Sequence, residues 1–132
     1  MTSFYDKLKR RRLKFEVFGE AVTFSYRRRK FLADLDFEDE FVCLTFLHNT
    51  VVNKEDEAKL ARLRKAVNAA NRICRVNSYY DEDDSEVVFV LSHAAIMFVI
   101  DNPHFESELM MDLENCLSAQ RIVNGVMKRK GA

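Results

Sequence analysis

Tryptophan is absent from this chain, proline occurs once and glycine three times in 132 residues. So little glycine excludes collagen-like and linker-like chains, and it cannot build a phosphate-cradling loop. No apolar run reaches the roughly 18–20 residues of a membrane-spanning helix. The first ten residues are charged where a secretory leader has its apolar core. Net charge is also absent, because 21 Lys and Arg balance 21 Asp and Glu. A dedicated DNA binder usually has a basic total, so this balance argues modestly against one. Cysteine is sparse and odd in number, at Cys43, Cys74 and Cys116, with no CxxC spacing. That pattern reads as reduced thiols in a cytoplasmic protein, not as a disulfide framework or a zinc site.

What is present is an ordinary globular composition, 48% hydrophobic and 32% charged, which excludes disorder. The length predicts one domain over residues 1–132. The charges are segregated along the chain. Residues 1–30 hold ten basic side chains against three acidic, residues 31–61 two against eight, and residues 62–80 five against none. Residues 81–114 then hold ten acidic and no basic side chains, and residues 115–132 four basic and no acidic ones. Such blocks create local fields at zero net charge.

Patterning predicts three helices and five or six strands. Ser3, with Asp6 as its capping-box partner, opens a short helix over 3–12. Runs at 14–18 and 21–26 flank Gly19 as a hairpin. Alternation through 31–37 gives a strand, 38–40 a polar turn, and 41–47 a strand apolar on both faces. Asn53 caps a helix favoured by Glu55, Asp56 and Glu57 at its positive end. Its stripe is Leu60, Leu63, Val67, Ala70 and Cys74, flanked by Ala66 and Ile73. Its opposite side is Arg64, Lys65, Asn68 and Arg72. A strand at 75–80, an acidic turn at 81–85 and a long apolar strand at 86–100 follow. Fifteen extended residues would span roughly 50 Å, so a bend or bulge is expected at 92–95. Asn102 and Pro103 start a last helix that reaches Lys128. The fold class is α+β: an antiparallel sheet with three helices, in the order α-β-β-β-β-α-β-β-α.

Site chemistry is hard to find. His48, His93 and His104 have no ligand spacing. The run Asp81, Glu82, Asp83, Asp84, Ser85 and Glu86 lacks the glycine and the twelfth-position carboxylate of a calcium loop. Ser92 and His93 are strand neighbours and point to opposite faces, as do Cys43 and His48. Asn71, near a helix end, suits bonds to neighbouring backbone better than a ligand. The basic tracts could grip phosphates, with Tyr79 or Tyr80 stacking on bases.

Several stretches resemble a known family. They are Thr2, Ser3, Phe4, Tyr5, Asp6, Lys7 and Leu8; Ala69, Ala70, Asn71, Arg72 and Ile73; Ser78, Tyr79, Tyr80, Asp81, Glu82 and Asp83; and Asp101, Asn102 and Pro103 leading into Phe105. Together they resemble the bacterial YbjN-type domains, in the version carried by Bacteroides-like bacteria, whose fold is similar to type III secretion chaperones. The resemblance spans nearly the whole chain. It implies that fold, a tendency to dimerise and a protein-binding habit, and it carries over no catalytic residue. The basic tract at 27–30 departs from the milder hairpin the family implies.

The expected function is a non-enzymatic chaperone- or adaptor-like protein-binding module, homodimeric and cytoplasmic, with no cofactor and no metal. The wide apolar arc of the last helix marks Met97, Val99, Met110, Met111 and Ile122 as interface candidates, with methionine suited to adaptable surfaces. The alternative is a nucleic-acid binder using basic patches at 9–14, 27–30 and 64–75. Arg64, Lys65, Asn68, Arg72 and Arg75 are its residues for an anionic partner. A second alternative is an enzyme with an unrecognised site.

Overall fold

Alternating apolar residues after the first helix become a meander of short strands, and the 3.6-residue stripes become helices. The computed structural model describes residues 2–19, 21–36, 41–82, 86–97 and 103–128. In chain order the elements are α1 (Thr2–Arg10), β1 (Phe15–Phe18), β2 (Ala21–Tyr26), β3 (Arg29–Asp36), β4 (Phe41–Asn53), α2 (Glu57–Ile73), β5 (Asn77–Glu82), β6 (Val87–Met97) and α3 (Phe105–Lys128). The six strands form one antiparallel sheet in the order β1-β2-β3-β4-β6-β5, so the expected α+β order is the one found. Internal contacts group the chain into two compact units, Met1–Phe46 with Ala94–Leu113, and Leu47–His93 with Glu114–Ala132. The boundaries fall inside β4, β6 and α3.

In the first unit, the buried face takes one phenylalanine from each of β2, β3 and β4. Phe24 stacks on Phe31 at 5.6 Å and Phe31 on Phe46 at 4.7 Å. The ladder puts Phe24 opposite Phe31, so the stack follows from register and period. Phe4 of α1 meets Phe105 of α3 edge-on at 6.1 Å. Helix α1 begins at Thr2, one residue before the expected start, so Ser3 lies inside it and is not its cap. The helix ends at Arg10 instead of residue 12. There Arg12 donates to the Lys9 carbonyl and Leu13 to the Leu8 carbonyl, with Arg12 at φ 58°. This is a Schellman end with arginine where glycine is usual.

The β1–β2 hairpin turns on Gly19 at φ 64°, as expected. The β2–β3 hairpin pairs Tyr26 with Arg29, leaving Arg27 and Arg28 as a two-residue turn at φ 49° and 64°. Both positive φ values match the type I′ turn that suits twisted strands, though it normally takes Asn-Gly. The basic tract therefore leaves the ladder unbroken from Ala21–Asp34 to Tyr26–Arg29.

In the second unit, β4 is longer than expected. Its alternation continues past residue 47, with Val42, Leu44, Phe46, His48 and Val52 buried and Leu47 and Val51 exposed. It is a central strand between β3 and β6, as its apolar run predicts, but only one of its faces is fully buried. Asn53 ends β4 and does not cap α2. Its Oδ1 accepts from the Glu55 N–H at 2.9 Å, while Asp56 caps α2 by accepting from the Lys59 N–H at 3.1 Å. Leu63, Ala66, Val67, Ala70 and Cys74 are buried as expected, Leu60 is half-buried, and Ile73 is exposed. The path turns extended at Cys74, which rotates Ile73 off the stripe.

Strand β5 starts at Asn77, two residues late, and runs to Glu82. Strand β6 passes unbroken through 92–95 to Met97. Val88, Val90, Ser92 and Ile96 keep one burial phase, so the strand carries no bulge there. As described it spans Val87–Met97, eleven residues, a length that needs no bend. Pro103 sits in a turn ahead of α3, which begins at Phe105. Expectations for 38–40, for Asp83, Asp84 and Ser85, for Asn102 and for Val99 lie outside the described residues.

Candidate functional site

The most structured polar feature is in the second unit, and it assembles residues far apart in sequence. Strand β6 lies between β4 and β5. His48 of β4, Ser92 of β6 and Ser78 of β5 share the buried face. The His48 Nε2 lies 2.6 Å from Ser92 Oγ, and Ser92 Oγ lies 2.8 Å from Ser78 Oγ. Ser78 and Ser92 are direct partners in the ladder. Non-hydrogen-bonded antiparallel pairs bring side chains closest, which suits this short contact.

The same pair type turns the Ser78 N–H and carbonyl outward, toward the free edge of β5. Asn71 of α2 meets both. Its Oδ1 accepts from Ser78 N–H at 2.6 Å, and its Nδ2 donates to the Ser78 carbonyl at 2.8 Å. One amide thus takes the place a further strand would fill at that position and blunts the edge. This is the backbone role expected for Asn71.

Burial governs the chemistry of the chain of hydroxyls. Ser92, Ser78 and His48 are all buried, and desolvation lowers the His48 pKa from 6.5 to about 4. The imidazole is therefore neutral at physiological pH. The hydroxyl protons can run from Ser78 through Ser92 to His48, or the reverse, according to the tautomer. A Ser–His contact is the start of a nucleophilic site, but Ser92 is fully buried in this fold.

A second polar set ties β4 to α3 in this unit. Gln120, itself buried, accepts from the Asn49 N–H at 2.9 Å. Thr50 Oγ1 donates to Asn124 Oδ1 at 2.6 Å, and Asn124 Nδ2 donates to Asn49 Oδ1 at 3.1 Å. The i, i+4 spacing of Gln120 and Asn124 puts both on one helix side.

The other face of this part of the sheet is open. Leu47 and Val51 are 55% and 52% exposed and Tyr79 40%, with Val87, Phe89 and Leu91 half-buried. Tyr79 pairs with Leu91 across the ladder. Sequence reasoning missed these residues because it ended β4 at 47. Continuing the alternation to Asn53 would have found them.

The interface candidates are spread out. Met111 is exposed, while Met110 and Ile122 are half-buried. The Met97 side chain and all of Val99 lie outside the described residues. Met110 and Met111 belong to the first unit and Ile122 to the second. By contrast Arg64, Lys65, Asn68, Arg72 and Arg75 are all exposed in the second unit. In the first unit, the basic end of α1 is partly neutralised. Arg10 reaches Glu106 at 2.8 Å and Arg11 at 3.5 Å, and Lys7 stands over the Phe105 ring at 5.6 Å.

Among the described residues, no cluster of three or more His, Cys, Asp or Glu could hold a metal ion. No disulfide joins Cys43, Cys74 or Cys116 among the described residues, and burial raises the Cys74 pKa while Arg121 partly opposes the shift. No described helix is long and apolar enough to cross a membrane.

No family profile and no curated protein sequence matches the chain. Solved structures similar to the chain include the following two. YbjN from E. coli, a candidate transcription regulator, superposes with a TM-score of 0.62 at 13% identity, covering 92% of this chain and 87% of that one. An uncharacterised protein from Methanothermobacter thermautotrophicus superposes with a TM-score of 0.64 at 13% identity, covering 96% and 95%. The two likenesses establish a YbjN-type fold.

Proposed function

We propose that this YbjN-type fold is a non-enzymatic protein-binding module of the adaptor or chaperone kind, and that its first partner is a second copy of itself. The observation that carries the reading is the open sheet face of the second unit. Leu47 and Val51 of β4, Tyr79 of β5 and Val87, Phe89 and Leu91 of β6 lie there with no Asp, Glu, Lys or Arg among them. In a chain that is 32% charged, this stretch of sheet carries one Asp, Glu, Lys or Arg position, Asp81 opposite Phe89 near the end of β5. Its apolar part can meet its own copy across a two-fold axis. Each Å² of apolar surface removed from water is worth about 25 cal/mol, less the costs of association.

Sedimentation equilibrium at micromolar concentration tests this. The wild type should self-associate. Leu47→Asp with Val51→Asp should be monomeric and unchanged in circular dichroism, because both side chains already face water. A wild-type monomer that also fails to bind an apolar fluorescent probe would remove both the dimer and an open client face.

A further inference from the structure

From Ala58 to Tyr80 the sequence carries six basic residues and no acidic one. The side chains of two of the six have local roles: Lys59 pairs with the capping Asp56 at 3.9 Å, and Arg62 donates to the Met127 carbonyl at 3.2 Å. Arg75 lies beyond the end of the helix. Arg64, Lys65 and Arg72 are exposed and make no ion pair among the described residues. Arg64, Asn68 and Arg72 form one i, i+4 row about 12 Å long, with Lys65 beside it. A solvated helix surface usually alternates acids with bases at this spacing and so cancels its field. This one does not, although the whole chain is neutral.

An aromatic ring borders the row. Asn71 of α2 holds the Ser78 backbone, so β5 runs back alongside the helix. Tyr80 is on the same strand face as Ser78, two residues on, or about 7 Å. That distance corresponds to between four and five residues back along α2, level with Ala66 and Val67 and so between Arg64 and Asn68 along the helix axis. Tyr80 is exposed, on the strand that borders the helix carrying the cationic row.

We propose that the exposed side of α2 binds single-stranded nucleic acid, with phosphates on Arg64, Lys65 and Arg72 and a base stacked on Tyr80. Backbone charge and a ring face are the two elements of sequence-tolerant strand binding. Asn68, between the cations, supplies a donor and an acceptor for a sugar or a base edge. This surface is independent of the open sheet face.

Fluorescence anisotropy of a labelled oligothymidylate with the full chain tests the proposal. Three phosphate contacts predict an affinity that falls about 20-fold between roughly 50 and 200 mM salt. Arg64→Gln with Lys65→Gln and Arg72→Gln should abolish most low-salt binding and flatten the salt dependence, with an unchanged melting curve. Tyr80→Ala should weaken binding on the order of tenfold without altering the salt slope, and Tyr80→Phe should restore it. Three results overturn the proposal: no binding by the wild type at low salt, a triple variant that keeps both affinity and slope, or polyglutamate competing as well as the oligonucleotide.

Discussion

His48 makes acid stability a direct readout of the buried hydroxyl chain. The ring is buried with its Nε2 on Ser92, and desolvation holds its pKa near 4 against 6.5 in the unfolded chain. The folded state therefore prefers the neutral ring, and its advantage is complete above the unfolded value. As pH falls below 6.5 the unfolded chain binds a proton that the folded chain refuses, so stability declines until the folded pKa is passed near pH 4. Between those limits the loss comes to about 3 kcal/mol, and from about pH 7.5 to about pH 5 it is about 2 kcal/mol. His48→Gln keeps a polar contact for Ser92 but cannot titrate. Urea unfolding of both proteins across that interval measures the effect. Carboxylates that titrate in the same range act on both alike, so the difference isolates His48. The wild type should lose about 2 kcal/mol more than the variant. Parallel curves would refute the reasoning and mean that water reaches the ring in the folded protein.

Three further expectations concern the fold. Asn71→Ala strips both bonds from Ser78 at the edge of β5 and should cost about 1–2 kcal/mol in urea unfolding, with Asn71→Asp intermediate; a change below about 0.5 kcal/mol would make the clamp irrelevant. Arg12→Gly and Arg28→Gly relieve left-handed backbone that arginine adopts at a cost, so each should raise stability by about 1 kcal/mol, and a lowered melting temperature in either would refute this. Leu63→Ala should cost about 2–5 kcal/mol, because the side chain is buried against the sheet, and a near-neutral result would contradict the packing of α2.

The sequence by itself was enough for the element order, the β1–β2 hairpin at Gly19 and the buried stripe of α2. These depend on local period and on residues whose backbone preferences are strong. The backbone role of Asn71 was also legible, because a helix running directly into a strand leaves groups that a nearby amide must satisfy. Element ends were less legible. Asn53 and Asp56 are both good caps, and only the length of β4 decides that Asp56 takes the role. The ladder of β4 likewise sets which of its apolar residues meet the core and which, like Leu47 and Val51, meet water.

The polar chain of His48, Ser92 and Ser78 left no trace in the sequence. Its members lie on three strands, and His48 and Ser92 are 44 positions apart. Their meeting depends on β6 entering the sheet between β4 and β5 and on the register of each pair, and strand order is a property of the whole sheet, not of any segment. The burial that keeps His48 neutral has the same origin, since desolvation is set by what the fold places around a ring.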